Sequence, residues 1–171
     1  MKRLAVLLTL ILFVSFSSAC ATGVGTSGSK DTVIEPGDKI GNFLIATGVE
    51  GNFIYGFDIE CPEMSEKNTY TCQVKVGEAV NVSTGLYDDT GSGNLDEILT
   101  HSQYQIFIND QPIDLQAFGT IAYNHPSMGK IYFINVVIIA SAPGEITVKD
   151  EGVFDNGDPF TSTSTYVFSE P

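Results

Sequence analysis

The sequence is poor in basic residues and contains no tryptophan. Its eight lysines and arginines stand against 21 aspartates and glutamates, which gives a formal net charge of −13. Proteins that bind nucleic acid or anionic lipid do so mainly through lysine and arginine. We therefore expect neither of them to be a partner. The acidic surface suits cation binding or simple solvation.

Catalytic motifs are missing as well. There are two histidines, His101 and His125, and no Gly-x-Ser-x-Gly elbow that would present a nucleophilic serine. A P-loop, a dinucleotide-binding fingerprint and an HExxH motif are also absent. Among so many acidic residues, some pair will lie at the glycosidase spacing of about 5 to 9 Å through abundance alone. We predict that the protein is not an enzyme and has no catalytic residues; a small secreted hydrolase that uses an acidic pair is the enzymatic alternative.

The first 19 residues have the pattern of a signal peptide. Basic Lys2 and Arg3 precede a 13-residue apolar run, residues 4–16, and small residues follow it. A helix of that length rises about 20 Å, which is too short for the roughly 30 Å of a bilayer core. We therefore predict that residues 1–19 direct export and are then removed.

The end of this peptide, Ser17-Ser18-Ala19-Cys20, resembles the lipobox of bacterial lipoprotein precursors. In that family small residues precede a cysteine that becomes the lipid-modified N-terminus, with leucine preferred where this chain has Ser17. The resemblance implies a lipid on Cys20, a flexible tether over 20–39 and a place in the cell envelope. Ala19-Cys20-Ala21 is also an A-x-A site, so secretion without an anchor stays open.

Short β-rich runs separated by turn residues fill the rest of the chain. Alternating apolar and polar residues are typical of strands with one buried face, whereas the apolar run 130–140 predicts one buried central strand. We predict a two-sheet antiparallel β-sandwich, Ig-like or jelly-roll, of eight or nine strands in one domain over 40–171. The predicted strands are 42–49, 52–61, 69–76, 80–87, 104–108, 113–118, 130–140, 145–150 and 160–168.

Three cysteines need an explanation in an exported protein. Cys20 is accounted for by lipid attachment, whereas Cys61 and Cys72 lie close together in the domain. An oxidising compartment favours a disulfide between them. Zinc is the alternative, but the two histidines are distant in sequence and two cysteines alone make a poor site.

The acidic loop after residue 87 is the best candidate for a metal site. Hard cations prefer several oxygen ligands on a flexible glycine-rich turn. The spacing does not match an EF-hand, because Leu99 stands where that motif has a bidentate glutamate. No other cofactor is indicated, and a solvated inter-strand turn explains the same composition. The candidate calcium ligands are Asp88, Asp89, Asn94, Asp96 and Glu97.

Residues 94–101 predict one helical turn, with Asn94 as its N-cap and Glu97 three positions later. Several tyrosines offer rings on which a sugar can stack, although most aromatic side chains at strand spacing belong to a core. We expect a non-enzymatic surface domain whose partner is an envelope protein or a glycan. A calcium-stabilised module that binds carbohydrate or protein is the alternative. The tyrosines considered are Tyr55, Tyr87, Tyr104, Tyr123 and Tyr132.

Overall fold

The computed structural model describes residues 33–87, 94–125, 129–153 and 157–171. The predicted signal peptide, Cys20 and most of the predicted tether lie outside these ranges. Within them the last part of the tether is packed, because Ile34 is buried and its amide donates to Pro112 O at 2.9 Å. The packed part of the chain therefore begins before residue 40.

The protein is mostly β. The described residues form thirteen strands, several of them only two residues long, and two of the predicted runs are each divided between two strands. The strands are β1 Lys39–Ile40, β2 Phe43–Ala46, β3 Ile54–Tyr55, β4 Thr69–Lys75, β5 Ala79–Asn81, β6 Leu86–Tyr87, β7 Gln105–Ile108, β8 Gln111–Pro112, β9 Thr120–His125, β10 Gly129–Ile134, β11 Val137–Ala140, β12 Gly144–Val153 and β13 Pro159–Ser169. The helices are α1 Leu95–Ser102 and α2 Leu115–Phe118, with a 3₁₀ turn at Gly56–Asp58.

The strands form three sheets, and none of them closes on itself within the described ranges. The first sheet has the order β1-β2-β11-β5-β3, the second β6-β10-β9, and the third β4-β13-β12-β7-β8. Most neighbouring strands are antiparallel, as predicted, but β4 runs parallel to β13 and β3 runs parallel to β5. The longest pairing joins β12 to β13, from Gly144 opposite Phe168 to Val153 opposite Pro159.

All three sheets contribute to one buried apolar cluster, which we call the main core. The predicted alternation holds in β12, where Ile146 and Val148 are buried, and in β4, where Cys72 and Val74 are buried and Gln73 is exposed. Each fully buried side chain of this size stabilises the fold by about 1.5 to 3 kcal/mol. Its central members are Phe43, Ile45, Val80, Ile106, Ile108, Ile134, Val136, Ile138, Ile146, Val148, Tyr166 and Phe168.

The prediction of one central strand over 130–140 is wrong. The run divides at Asn135 into β10, which belongs to the second sheet, and β11, which belongs to the first. The Asn135 side chain pairs with the backbone of Gly48 in both directions, accepting from Gly48 N at 2.8 Å and donating to Gly48 O at 3.0 Å. Because the Asn135 side chain hydrogen-bonds to the backbone of another segment, the strand is interrupted there, although the apolar pattern of the sequence runs on.

The strands that pair with β10 and β11 are also separated at this position. The chain leaves β5 at Asn81 and enters β6 at Leu86, so the predicted strand 80–87 is also two strands. Asn81 and Ser83 are buried between them, and both side chains donate to Ile134 O at 2.9 Å. Buried polar groups are tolerated when they are paired in this way. The change of sheet is therefore held by hydrogen bonds from both chain segments.

Of two further predicted strands, one is shorter than expected and the other is replaced by a helix. In the run 52–61 only Ile54–Tyr55 is extended, and the 3₁₀ turn follows it. The hairpin after β7 turns at Asn109 and Asp110, both with left-handed φ of 47° and 64°, as a tight two-residue turn requires. The predicted strand 113–118 is wrong: Ile113 makes only an isolated β-bridge, and α2 follows because Asp114 caps it, its side chain accepting from Gln116 N at 3.0 Å.

Candidate functional site

The predicted disulfide is confirmed. Cys61 and Cys72 are bonded, with their Cα atoms 4.2 Å apart. Cys72 lies in β4 and is 1 % exposed, while Cys61 ends the segment that leads away from β3. Because both sulfurs are bonded to each other, neither is a thiolate ligand for zinc. The disulfide fixes the chain after β3 to an edge strand of the third sheet.

The predicted calcium ligands are only partly described. Asp88 and Asp89 lie outside the described residues, whereas Asn94, Asp96 and Glu97 are exposed at the start of α1. The side chain of Asn94 accepts from Asp96 N at 3.1 Å, so the predicted N-cap is present. In the described part of the chain, no group of three or more His, Cys, Asp or Glu side chains is arranged to hold a metal. The calcium site stays a prediction.

The histidines lie in two different elements. His101 is exposed in the last turn of α1, where a cation suits the carbonyl end of the helix. His125 ends β9, and its side chain is outside the described part. His101 shares an open surface depression with Asp96 and Glu97. The helix thus brings together one histidine and two predicted calcium ligands on one exposed side.

Of the five tyrosines proposed for stacking, the structure brings two together. Tyr104 and Tyr132 are buried, at 4 % and 7 % exposure, and the side chain of Tyr87 lies outside the described part. Tyr55 and Tyr123 have ring centroids 5.5 Å apart. With Phe53, 5.0 Å from Tyr55, and Phe133, 5.1 Å from Tyr55, they form what we call the outer aromatic cluster.

The strand pattern explains where this cluster lies. In the β9–β10 hairpin, Tyr123 is opposite Ile131 and Phe133 is opposite Ile121, so these side chains share one face. Tyr132 and Ile134 alternate with them and join the main core on the other face. Phe53 and Tyr55 reach the cluster from the segment before the 3₁₀ turn. The cluster therefore lies on the side of the second sheet that faces away from the main core.

Two glycines allow the close packing beneath the rings. A Cβ atom built on Gly48 would come within 2.4 Å of the Phe53 ring and 2.7 Å of Val137. A Cβ atom on Gly85 would come within 2.8 Å of Ile131 and 3.1 Å of the Phe133 ring. The separations of 2.4, 2.7 and 2.8 Å are shorter than carbon atoms tolerate, and the one of 3.1 Å is tight. Larger residues at either position would push the aromatic rings outward.

Exposed carboxylates flank the cluster. Burial raises the pKa of the Tyr55 hydroxyl, and the negative charges of Glu50 and Asp58 raise it further together with Tyr123. Glu50 and Asp58 are themselves exposed, as is the neighbouring Val49 at 67 %. Phe53, Tyr55 and Tyr123 are only half-buried. The arrangement is an apolar aromatic surface with an acidic rim.

The sequence pattern did not identify one buried carboxyl group, that of Asp150. Asp150 is 4 % exposed, and Tyr104 Oη donates to Asp150 Oδ1. Burial raises the pKa of Asp150 to about 6, although hydrogen bonds from Tyr104 and Thr84 lower it in part. Burial and the Asp150 charge raise the pKa of Tyr104 well above its usual value. The sequence does contain a signal for its burial, because Asp150 lies two positions after Val148 and continues the inward-facing alternation of Ile146 and Val148.

Comparisons with known proteins identify no relative. No family model, curated protein or solved structure matches this chain. Among the described residues, neither helix has the length and apolar character needed to cross a bilayer.

Proposed function

We propose that this protein is a non-enzymatic binding domain of the cell envelope, anchored by a lipid on Cys20, and that it captures a neutral glycan on the outer aromatic cluster. The lipobox-like sequence at Ser17–Cys20 supports the anchor. The sequence offers no nucleophile motif, which supports binding rather than turnover. The outer aromatic cluster is the observation that carries the proposal.

The proposal includes a two-layer sandwich. The Phe43 and Phe168 rings, from the first and third sheets, have centroids 5.6 Å apart. Side chains from the second sheet join the same main core. These contacts support an arrangement in which the third sheet faces the first and second sheets across the core. The outer aromatic cluster then lies on the outside of one layer.

The exposure of the rings supports a binding role. Positions on the outward face of a sheet are normally occupied by polar residues, or they are covered by another layer. Here three aromatic rings from distant segments stay half-buried and packed against one another. The hydroxyl oxygen of Tyr55 is buried, so this tyrosine offers the surface its ring rather than its hydroxyl. A partly exposed aromatic cluster of this kind is typical of recognition surfaces.

Charge supports the choice of a neutral glycan. The chain carries a net charge of −13, and exposed Glu50 and Asp58 flank the cluster. An anionic polymer would be repelled by this rim. The hydroxyl groups of a neutral sugar can donate hydrogen bonds to carboxylates while its apolar face lies on a ring. A peptide of the envelope is the competing ligand.

The ligand is tested with soluble neutral polysaccharides. Affinity electrophoresis should detect binding to at least one of a panel that includes glucans, mannans and xylans. Tyr123→Ala should weaken that binding by about tenfold, since loss of one well-placed aromatic contact costs about 1.4 kcal/mol. The control is Phe107→Ala, because Phe107 alternates with core residues Ile106 and Ile108 and faces outward from the third sheet. Equal losses in both variants, or no binding to any member, would contradict the proposal.

The anchor is tested by the intact mass of the mature protein from a bacterial host. We expect a chain that begins at Cys20, carries acyl chains and fractionates with membranes. A soluble, unmodified chain beginning at Thr22 would remove the anchor from the proposal. The glycan would then be bound by a diffusible protein.

A further inference from the structure

Asp150 lies in an unfavourable place for a charge. It is 4 % exposed on β12 and shares the inward face of that strand with Ile146 and Val148. In the described part of the protein, the groups that shift its pKa include no basic side chain. Burying a carboxylate without a cation is unfavourable, and hydrogen bonds offset only part of the loss of water.

An exposed residue, Thr84, is linked to this carboxyl group by hydrogen bonds. Thr84 N donates to Tyr104 Oη at 3.0 Å, and Tyr104 Oη donates to Asp150 Oδ1. Hydrogen bonding from Thr84 also lowers the pKa of Asp150. The Thr84 side chain is exposed, and it lies in residues 82–85, which belong to no strand. We call these four residues the 82–85 segment.

We propose that Asp150 is a proton-operated latch for the 82–85 segment, which the neutral carboxyl keeps closed and the ionised carboxylate loosens. The ionised form gains hydration when the segment opens, whereas the neutral form has much less to gain. Val82 and Ser83 stay fixed by their hydrogen bonds to Val136 O and Ile134 O, so opening is confined to the Thr84–Gly85 end of the segment. Residues outside strand ladders open locally at lower cost than strands do, which makes this end a route by which water reaches the carboxylate.

The direction of the pH effect follows from the pKa values. The pKa of Asp150 is raised from 3.8 to about 6 in the folded protein. The closed form consequently holds the proton more tightly than an open, hydrated form does. Closure is therefore most favourable at acidic pH and weakens as the pH rises from about 4 to about 6.

Within the described ranges, few other ionisable groups face Asp150. Tyr104 and Tyr166 are the buried ones, and burial together with the charge of Asp150 raises the pKa of the Tyr166 hydroxyl. The remaining charged groups on β12 and on α1, which packs against it, point to solvent or pair with each other. They are Lys149 and Glu151, joined at 3.0 Å, and the exposed Glu145, Asp96, Glu97 and His101.

The same segment supports the outer aromatic cluster. Gly85 lies so close to Ile131 and Phe133 that a Cβ atom would meet them at 2.8 and 3.1 Å. Opening of the 82–85 segment would therefore disturb the packing under Phe133. The effect of the latch on glycan binding rests on the proposed function, whereas the latch itself does not.

Native-state hydrogen exchange of the full chain tests the latch without any ligand. After correction for intrinsic exchange, opening at the Thr84 amide should rise about tenfold between pH 5 and pH 8, as a shift from 3.8 to about 6 requires. Asp150→Asn should remove this pH dependence. Glu151→Gln should retain it, because Glu151 lies on the opposite face of the same strand and pairs with Lys149.

Tyr104→Phe provides a second test. It removes a hydrogen bond that lowers the pKa of Asp150, and it also removes the acceptor of the Thr84 amide, so the titration is followed by the ¹³C shift of the Asp150 carboxyl carbon instead. Its midpoint should move above pH 6. Constant opening of the wild-type amide across the pH range, or the same tenfold rise in Asp150→Asn, would overturn the latch. An unmoved midpoint in Tyr104→Phe would overturn it too. A failure to bind glycans would leave these measurements unaffected.

Discussion

The main core and the outer aromatic cluster lie on opposite faces of the same β10 strand, and they differ in composition and exposure. The main core consists mostly of β-branched aliphatic side chains, of which Ile134, Ile138 and Val148 are each 0 % exposed. In the outer aromatic cluster Phe133 is buried, but Phe53 and its two tyrosines keep part of their surface exposed. One strand thus serves a closed apolar interior and an open aromatic surface.

This contrast separates residues that stabilise the protein from residues available to a ligand. Apolar surface that stays exposed to water lacks the hydrophobic stabilisation of about 25 cal/mol per Å² that burial would provide. The outer aromatic cluster gives up part of that stabilisation, whereas the main core gains nearly all of it. Variants of the main core should therefore affect the free energy of unfolding most strongly. Variants of the cluster should affect stability less and ligand binding more.

The largest effect is expected from Ile138→Ala at the centre of the main core. Ile138 is paired with Ile45 on one side and Val80 on the other, and all three are 0 % exposed. The lost contacts and the cavity should lower the free energy of unfolding by about 4 kcal/mol. Urea denaturation measures it, with Ile138→Val as the control at about 1 kcal/mol. Equal losses in the two variants would show that this position is not closely packed.

The disulfide connects the two regions, so its removal comes next. Cys61 follows the segment that carries Phe53 and Tyr55, and Cys72 belongs to the main core. Replacing both cysteines by serine should cost about 3 kcal/mol, because the unfolded chain regains the freedom of a short loop. Urea denaturation of the oxidised wild type and the double variant measures this. Reducing agent should destabilise the wild type and leave the variant unchanged; a wild type insensitive to reduction would contradict the assignment.

Local alternation predicted those strands that have one buried and one exposed face. In β4 the predicted inward residues Cys72 and Val74 are buried, and β12 behaves in the same way. The pattern failed over 130–140, because hydrophobicity does not register that Asn135 has a backbone partner 87 positions away. It also missed the parallel pairing of β4 with β13, since sheet order depends on contacts between distant segments.

Only part of the candidate site could be predicted from the sequence. Tyr55 and Tyr123 were both candidates for stacking, but nothing in their spacing indicates that they meet. Their contact depends on the segment after β2 passing over the outer face of β10, where Gly48 and Gly85 leave room for rings. Asp150 was predictable in principle, because it is two positions beyond Val148 on an inward face. An acidic residue at an inward-facing strand position indicates a buried ionisable group.

A moderate effect is expected from Phe53→Ala in the outer aromatic cluster. Phe53 contacts Tyr55 at 5.0 Å between ring centroids but remains half-buried. Its truncation should cost about 2 kcal/mol, less than the 3 to 5 kcal/mol of a fully buried phenylalanine. Urea denaturation measures it, and Phe53→Leu should recover part of the loss. A loss as large as that of Ile138→Ala would place this cluster in the interior and break the contrast between the two regions.

The smallest effect belongs to a site outside both regions. Asn94→Ala removes the side chain that accepts from Asp96 N at the start of α1, and it should cost about 1 kcal/mol, as loss of an N-cap usually does. Asn94→Ser keeps a capping oxygen and should retain most of the stability.

Because α1 carries its cap at the surface while the outer aromatic cluster lies elsewhere, the losses of Asn94→Ala and Phe53→Ala should add to within about 0.5 kcal/mol. Thermal denaturation with and without calcium separates the cap from the predicted metal ligand. A cap acts equally in both conditions, since its hydrogen bond needs no ion. A loss that appears only with calcium present would assign Asn94 to a metal site instead, and α1 would then join the binding surfaces of the protein.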